Sequence, residues 1–316
     1  MNTTYTYEEL DVCYLANGMK MTLPVHKFRG AGSDKVLGIG ACLHGDEIIT
    51  VEVARRIVEF LKTQEVHGTV KICPMVHSLA FEQEDRNSPI DGLNLNRVFP
   101  GKENGFLTER IAHTYLEEFV GTLDAFVDVH AGGDALPLVE YCYILNDEAM
   151  SRAFGSKILY RPTDDYPGNV NNFAREKGVR SMVAECGGLL VRECDIQRCV
   201  EGCISVMCHE GMIDGDEICR DDQLVCTHIA HVDPHQGGLM VPCLKESDLG
   251  GVVEGRGRVI ARIYNPKTLE LLEELKTPYE RNLMILLRAN VNRALPGDFS
   301  FMIADADSLE EQHNAF

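Results

Sequence analysis

"GIGACLHGDEIITVEVARRI", residues 38–57, is the stretch on which the fold turns. An apolar run of small residues ends at a histidine, a glycine and two acids, and apolar positions then recur at helical spacing. Residues 35–43 are expected to form a buried strand and residues 48–63 an amphipathic helix. Open parallel sheets bind ligands in the crevice beyond the carboxyl ends of their strands. His44 and Glu47, three residues apart at a strand-to-helix turn, can both point into such a crevice. Imidazole and carboxylate are suitable zinc ligands. A chance H-x-x-E pair would look the same, so the pair needs support from elsewhere in the chain.

Working outward, residues 68–76, 124–129, 140–145 and 181–186 read as further strands. Residues 108–120, with Thr108 as N-cap, and 189–212 read as helices. Strands alternating with helices predict an α/β fold, a mostly parallel sheet covered on both faces. The style changes near residue 220. Short β-like runs broken by glycine pairs follow, with one helical piece expected at 268–275. The polar stretch 214–223 reads as a boundary, giving a catalytic domain over 1–220 and a small β-rich domain over 221–316.

The chain has 316 residues, 45% of them hydrophobic and 25% charged, as a soluble protein with a sizeable core should. A net charge of -19 disfavours nucleic acid and anionic membrane surfaces as partners, while one local arginine can still bind a small anion. The first residues show no basic segment followed by an apolar run, so no signal peptide or membrane span is expected and the cytoplasm is the expected location. There the twelve cysteines are expected to be thiols, most of them small buried hydrophobes.

A catalytic zinc usually takes three protein ligands and leaves one position for water. "FVDVHAGGD" (126–134) supplies the third: His130 ends another strand, and the two glycines after it would give a substrate close access. Asp128 can orient an imidazole or cap a strand in solvent. Zinc hydrolysis also needs a base that is not itself a ligand. Glu185 in "SMVAECGG" (181–188) closes a further strand before two glycines and fits that role, with a plain cap or surface acid as the alternative. "SPIDGLNLNRVFPG" (88–101) carries Asn96 and Arg97. A guanidinium grips a carboxylate through two parallel hydrogen bonds and an amide adds a neutral donor; a loop held by its own polar side chains is the competing reading.

"HGDE", "NLNRVFPG", "DVHAGG" and "AECGG", in that order, resemble the succinylglutamate desuccinylase/aspartoacylase family, which has the zinc carboxypeptidase-like fold. "SPIDGLNLNRVFPG" is most similar to the branch containing N-acetyl-diaminobutyrate deacetylases, and residues 237–266 resemble the family's C-terminal β domain. The resemblance implies one zinc per chain on His44, Glu47 and His130, Glu185 as catalytic acid/base, and Asn96 and Arg97 holding the substrate carboxylate. It also points to Arg86 as the group polarising the scissile carbonyl and to Arg175 as a contact for the far end of the substrate. The family often has Asp where this chain has Asn94, which is expected to alter the support of the site without abolishing it.

Two other groups stand out. Cys194, Cys199, Cys203 and Cys208 share a predicted helix, at spacings that rotate around it instead of converging. Cys226, His228, His231 and His235 lie close together, either as a second metal site or, more simply, as a strand crossing between domains with one imidazole able to reach the substrate. His26, His67, His77, His113, His209 and His313 show no motif. The expected function is a zinc-dependent amidohydrolase that removes a short acyl group, acetyl or succinyl-like, from an amino acid or related small amine. The β-rich domain would narrow the cleft to small N-acyl substrates. The alternatives are a metallocarboxypeptidase acting on small peptides and a non-catalytic binding protein with a relict pocket. A homo-oligomer is compatible with the sequence, which does not fix its state.

Overall fold

The computed structural model describes residues 3–133, 136–163 and 166–311; Asp134 and His313 lie outside them. A ten-stranded sheet forms the body of the molecule. Its strands are β1 (Thr4–Tyr14), β2 (Lys20–Arg29), β3 (Val36–Gly40), β4 (Thr69–Cys73), β5 (Ala125–His130), β6 (Tyr141–Tyr143), β7 (Ile158–Tyr160), β8 (Arg180–Glu185) and β9 (Leu224–Cys226), together with the short β18 (Glu310–Glu311) near the C-terminus. They run in the order β1-β2-β4-β3-β5-β8-β6-β7-β9-β18. The central strands β4, β3, β5 and β8 are mutually parallel. A β1–β2 hairpin that the sequence pattern did not reveal adds antiparallel strands at one edge.

The central strands are mostly apolar because both faces are covered, with interior exceptions such as Lys71 and Asp128. On one face α1 (Ile48–Leu61) buries Ile49, Val53, Ala54, Ile57 and Leu61, a helical stripe that packs with Cys199, Cys203, Val206 and Met207 of the long helix α6 (Glu193–His209). The other face carries the short α2 (Ser78–Glu82), α3 (Leu107–Thr114) with a π-turn over Tyr115–Phe119, and α5 (Val170–Glu176). There Leu23, Leu95, Ile111, Tyr115, Phe126 and Val170 share one core. The remaining helix, α4 (Glu148–Ala153), packs against α6 and β8.

Several boundaries differ from expectation. The strand expected to reach residue 43 ends at Gly40, because Cys42 turns to a φ of 56° and its N–H donates to Thr50 Oγ1 at 3.0 Å. Thr108 is not the cap of α3: it lies inside the helix, and its N–H and hydroxyl both donate to Asp91. Helix α6 starts at Glu193 instead of residue 189, since Leu189 has a φ of 65° and its N–H is bound to the Gly133 carbonyl.

The C-terminal region holds two antiparallel four-stranded sheets. One contains β10 (Ile229–His231), β12 (Val252–Glu254), β15 (Arg281–Leu287) and β17 (Phe301–Asp305); the other contains β11 (Gly238–Pro242), β13 (Val259–Tyr264), β14 (Leu271–Lys276) and β16 (Asn292–Ala294). Met240, Ile260, Ile263, Met284, Phe301 and Ile303 form their shared core. The helix expected at 268–275 is instead β14. Its Leu and Glu residues favour a helix locally, but Leu275, Glu274, Glu273 and Leu271 pair along β13, and tertiary pairing overrides propensity. Leu138, Tyr141, Ile158, Tyr160, Leu283, Ile285 and Met302 join this region to the β6–β7 end of the large sheet. Because β9 and β18 complete that sheet, segments from beyond residue 220 belong to its far edge. No helix among the described residues is long and apolar enough to cross a membrane.

Candidate active site

The parallel strands β3, β5 and β8 end side by side, and their carboxyl ends carry the predicted groups. His130 and Glu185 are the last residues of β5 and β8 and stand opposite each other in register. The loop 41–47 leaves β3 and brings His44 and Glu47 across to the same point. Gly45 makes that loop possible: its N–H donates to the Asp85 carbonyl at 2.9 Å, and a Cβ there would lie 2.0 Å from the Ala80 carbonyl carbon.

His44, Glu47 and His130 are 1%, 2% and 4% exposed, and one ligand atom from each lies within 4.8 Å of the others. Both imidazoles turn Nδ1 toward Glu47. His44 Nδ1 is 2.7 Å from Oε1 and His130 Nδ1 is 3.0 Å from Oε2. Both Nε2 atoms face outward, to Asn94 Oδ1 for His44 and to Asp128 Oδ2 for His130, each at 3.1 Å. Those oxygens can only accept, so each Nε2 carries the proton and each Nδ1 is left with a lone pair for a cation. Ligand atoms around a tetrahedral zinc stand about 3.3 Å apart, and these three groups already converge to within 4.8 Å of one another. Three convergent donors of the right kind fit a metal.

The charges agree with this. Burial opposes ionisation of Glu47, yet the two imidazoles hold its carboxyl well below the usual range. Burial, and then Arg86, push His44 down to about 4. Burial also opposes the charged form of His130, but the Asp128 and Glu47 carboxylates outweigh it and raise this imidazole well above its ordinary value.

Glu185 is set differently. Burial raises its carboxyl to about 7, helped by Glu47 and opposed by His130 and Arg86. A carboxyl poised near neutrality beside a metal-type site is suited to carrying a proton in both directions.

Arg86 reaches the site: its Nη1 donates to Glu47 Oε1 at 3.2 Å. Asn96 and Arg97 lie on the turn Leu95–Arg97. Asn96 Oδ1 accepts the Val170 N–H at 2.9 Å, which fixes the start of α5 against this turn. The Arg97 guanidinium lies 5.5 Å from the Tyr166 ring centre, donates to the Asn96 carbonyl, and has no carboxylate partner among the described residues. Burial, and then the neighbouring Arg86, lower its pKa. The side chain is nonetheless exposed, so a carboxylate entering the cleft can reach its guanidinium.

The structure does not bring Arg175 to these residues. It is exposed in the last turn of α5 and precedes the start of β8, whereas Glu185 ends β8. At about 3.3 Å per residue, the strand alone separates them by roughly 17 Å. The glycine pairs also serve another purpose than substrate access. Gly132 N–H donates to the Gly187 carbonyl at 2.8 Å, and a Cβ on Gly132 would stand 1.8 Å from the Leu136 carbonyl oxygen. The two loops touch backbone to backbone, and a Cβ on Gly188 would stand 2.8 Å from the Gly132 Cα.

Two cleft residues carry no signal in the sequence. Tyr166 Oη lies 2.7 Å from His231 Nε2, so one of the four residues grouped around 226–235 does approach the Arg97 side of the cleft. Asn171 donates to Asp128 Oδ2 at 2.8 Å. Both stand in an irregular run of polar residues where no spacing marks them. His228 and His235 turn instead to Thr227 and Glu273. Cys199 and Cys203 are buried, Cys208 is partly covered and Cys194 is exposed, so the four thiols of α6 lie at different depths.

Residues 33–209 match the family model described as the succinylglutamate desuccinylase/aspartoacylase catalytic domain. The N-alpha-acetyl-L-2,4-diaminobutyric acid deacetylase of Halomonas elongata is 28% identical over 252 residues, spanning 75% of this chain and 72% of that protein. Among solved structures, a succinylglutamate desuccinylase from Silicibacter sp. TM1040 superposes with a TM-score of 0.80 at 22% identity, covering 98% of this chain and 95% of that one. The product-bound ectoine utilization protein EutE from Ruegeria pomeroyi gives 0.78 at 24% identity, covering 96% and 95%. At these identities the two structures establish the shared fold.

Proposed function

Because the chain belongs to the succinylglutamate desuccinylase/aspartoacylase family, we propose that it is a zinc-dependent amidohydrolase that removes a short acyl group from the amino group of an amino acid. The observation that carries this reading is the convergence of His44, Glu47 and His130 beside Glu185 and the uncompensated Arg97. The Halomonas relative makes acetyl the first acyl group to test and a diamino acid the first amine.

His44 Nδ1, Glu47 and His130 Nδ1 would hold the zinc. Bound there, zinc acidifies a water molecule and polarises a carbonyl oxygen. Glu185 takes a proton from the attacking water and returns it to the amide nitrogen as the C–N bond breaks, so the products are a carboxylate and a free amine. This transfer is needed because an amide nitrogen is a poor leaving group until protonated. Arg97 grips the carboxylate of the substrate with Asn96 shaping the turn beneath it, and Arg86 offers a second guanidinium to developing negative charge at the carbonyl. Holding the carboxylate fixes which amide reaches Glu185, and the resulting alignment lowers the entropic part of the barrier.

The test is a screen of N-acyl amino acids and N-acyl diamino acids with the zinc-loaded protein, scored by release of the free acid. Acetate release that a chelator abolishes is expected. Release of C-terminal residues from short peptides, with no acid from any N-acyl amino acid, would replace this reading with a carboxypeptidase.

A further inference from the structure

The relay behind His130 extends one residue further than the four motifs reach. We infer that Asn171, in the first turn of α5, is a positioning residue for the metal centre that acts through Asp128 on His130. The inference rests on the metal reading above and goes beyond it by assigning a role to a residue on a separate helix.

Asp128 is fully buried, at 0% exposure, and Asn171 is 3% exposed. Asp128 Oδ2 accepts from His130 Nε2 at 3.1 Å and from Asn171 Nδ2 at 2.8 Å. Asp128 Oδ1 has no partner among the described residues. A carboxylate can only accept, so the Asn171 amide must present its NH2 group to it. Asn171 is therefore the one donor, apart from the His130 ring itself, that stabilises this buried charge among the described residues. An ionised carboxylate out of water is costly unless it is hydrogen-bonded. Without Asn171 it would rest on one bond to the ring it has to orient.

The helix that carries Asn171 is held firmly enough to transmit this. Asn169 Oδ1 caps α5 by accepting the Asn172 N–H at 3.0 Å, and Asn96 Oδ1 accepts the Val170 N–H at 2.9 Å. The same turn thus touches the Asn96 turn through Val170 and the carboxylate behind His130 through Asn171. His44 has a different backing: its Nε2 faces Asn94, a neutral amide on a loop. Of the two histidines, His130 has the charged support, and the quality of that support depends on Asn171. Groups in this position commonly change metal affinity by about 10–100-fold when removed.

The experiment uses the full-length protein. Zinc affinity is measured by competition with a chromophoric chelator, and the visible spectrum of the cobalt(II)-substituted protein reports ligand geometry. Asn171→Leu keeps much of the volume and removes the donor; Asn171→Ala, which adds no bulk, carries the test should the leucine variant not fold. Weaker zinc binding by about 10–100-fold, an altered cobalt spectrum and a secondary effect on kcat are expected. In an Asp128→Asn background the same substitution should have little further effect, since residues acting in series are not additive. Unchanged zinc affinity and cobalt spectrum in a folded Asn171 variant, or full additivity with Asp128→Asn, would overturn the role of Asn171 while leaving the metal site intact. A wild-type protein that binds no zinc would overturn both this inference and the reading beneath it.

Discussion

Replacement of Glu185 by glutamine removes one proton-accepting atom and almost nothing else. Glutamine has the same shape and keeps a carbonyl acceptor, so β8 should keep its register with β5 and His130 its place. Glu185 is not among the three convergent ligand residues, so zinc content should not change. General acid–base catalysis contributes about 10²–10⁴ in rate, so kcat should fall by that factor, equivalent to about 2.7–5.5 kcal/mol on the barrier. The pH profile is the sharper readout. Burial raises this carboxyl to about 7, and the base must be ionised to act, so kcat/KM of the wild type should fall about tenfold per pH unit as pH drops below that value. A bound divalent cation favours the carboxylate and moves this acid limb downward, never upward. The assay is initial-rate acid release from the best substrate of the screen, between pH 5 and pH 9, for wild type and Glu185→Gln with matched zinc content. A variant with full kcat, or one that keeps the acid limb, would remove Glu185 from the proton transfer.

Three further outcomes are expected. Chelation should abolish activity and lower Tm, with recovery of both on adding zinc; a site holding zinc at a thousand times its Kd stabilises the fold by about 4 kcal/mol, which differential scanning fluorimetry can follow, and an unchanged Tm would argue that no ion is held. Arg97→Lys should raise KM about tenfold with little loss of kcat, because an ammonium replaces a paired guanidinium grip with a point charge, a difference of about 1–1.5 kcal/mol; steady-state kinetics would show a fall in kcat instead if Arg97 acted on the reacting carbonyl. Gly132→Ala should destabilise the protein by about 1–3 kcal/mol in urea unfolding, since its Cβ would meet the Leu136 carbonyl oxygen at 1.8 Å, and an unaffected midpoint would show that the backbone at Leu136 moves aside freely.

The sequence by itself determined the parallel centre of the sheet and the three groups that converge at its edge. Apolar strands covered on both faces lack alternation, and a polar group at or just past the end of such a run marks its edge, so His44, His130 and Glu185 stood out one strand at a time. The same logic could not find the β1–β2 hairpin, in which β1 is mostly exposed and only alternate residues of β2 are buried, or β14, whose Leu and Glu residues favour a helix until β13 offers its edge. Only the tertiary structure shows that Arg86 touches Glu47 and that Arg175 lies in the last turn of α5, ahead of the strand that Glu185 ends. It also decided which nitrogen of each histidine faces Glu47, and that Asn171 and Tyr166 approach from a helix and a loop far along the chain. Local pattern records which face of an element is buried. Which side chains meet across elements depends on the crossing of backbones, and no periodicity in the sequence encodes that.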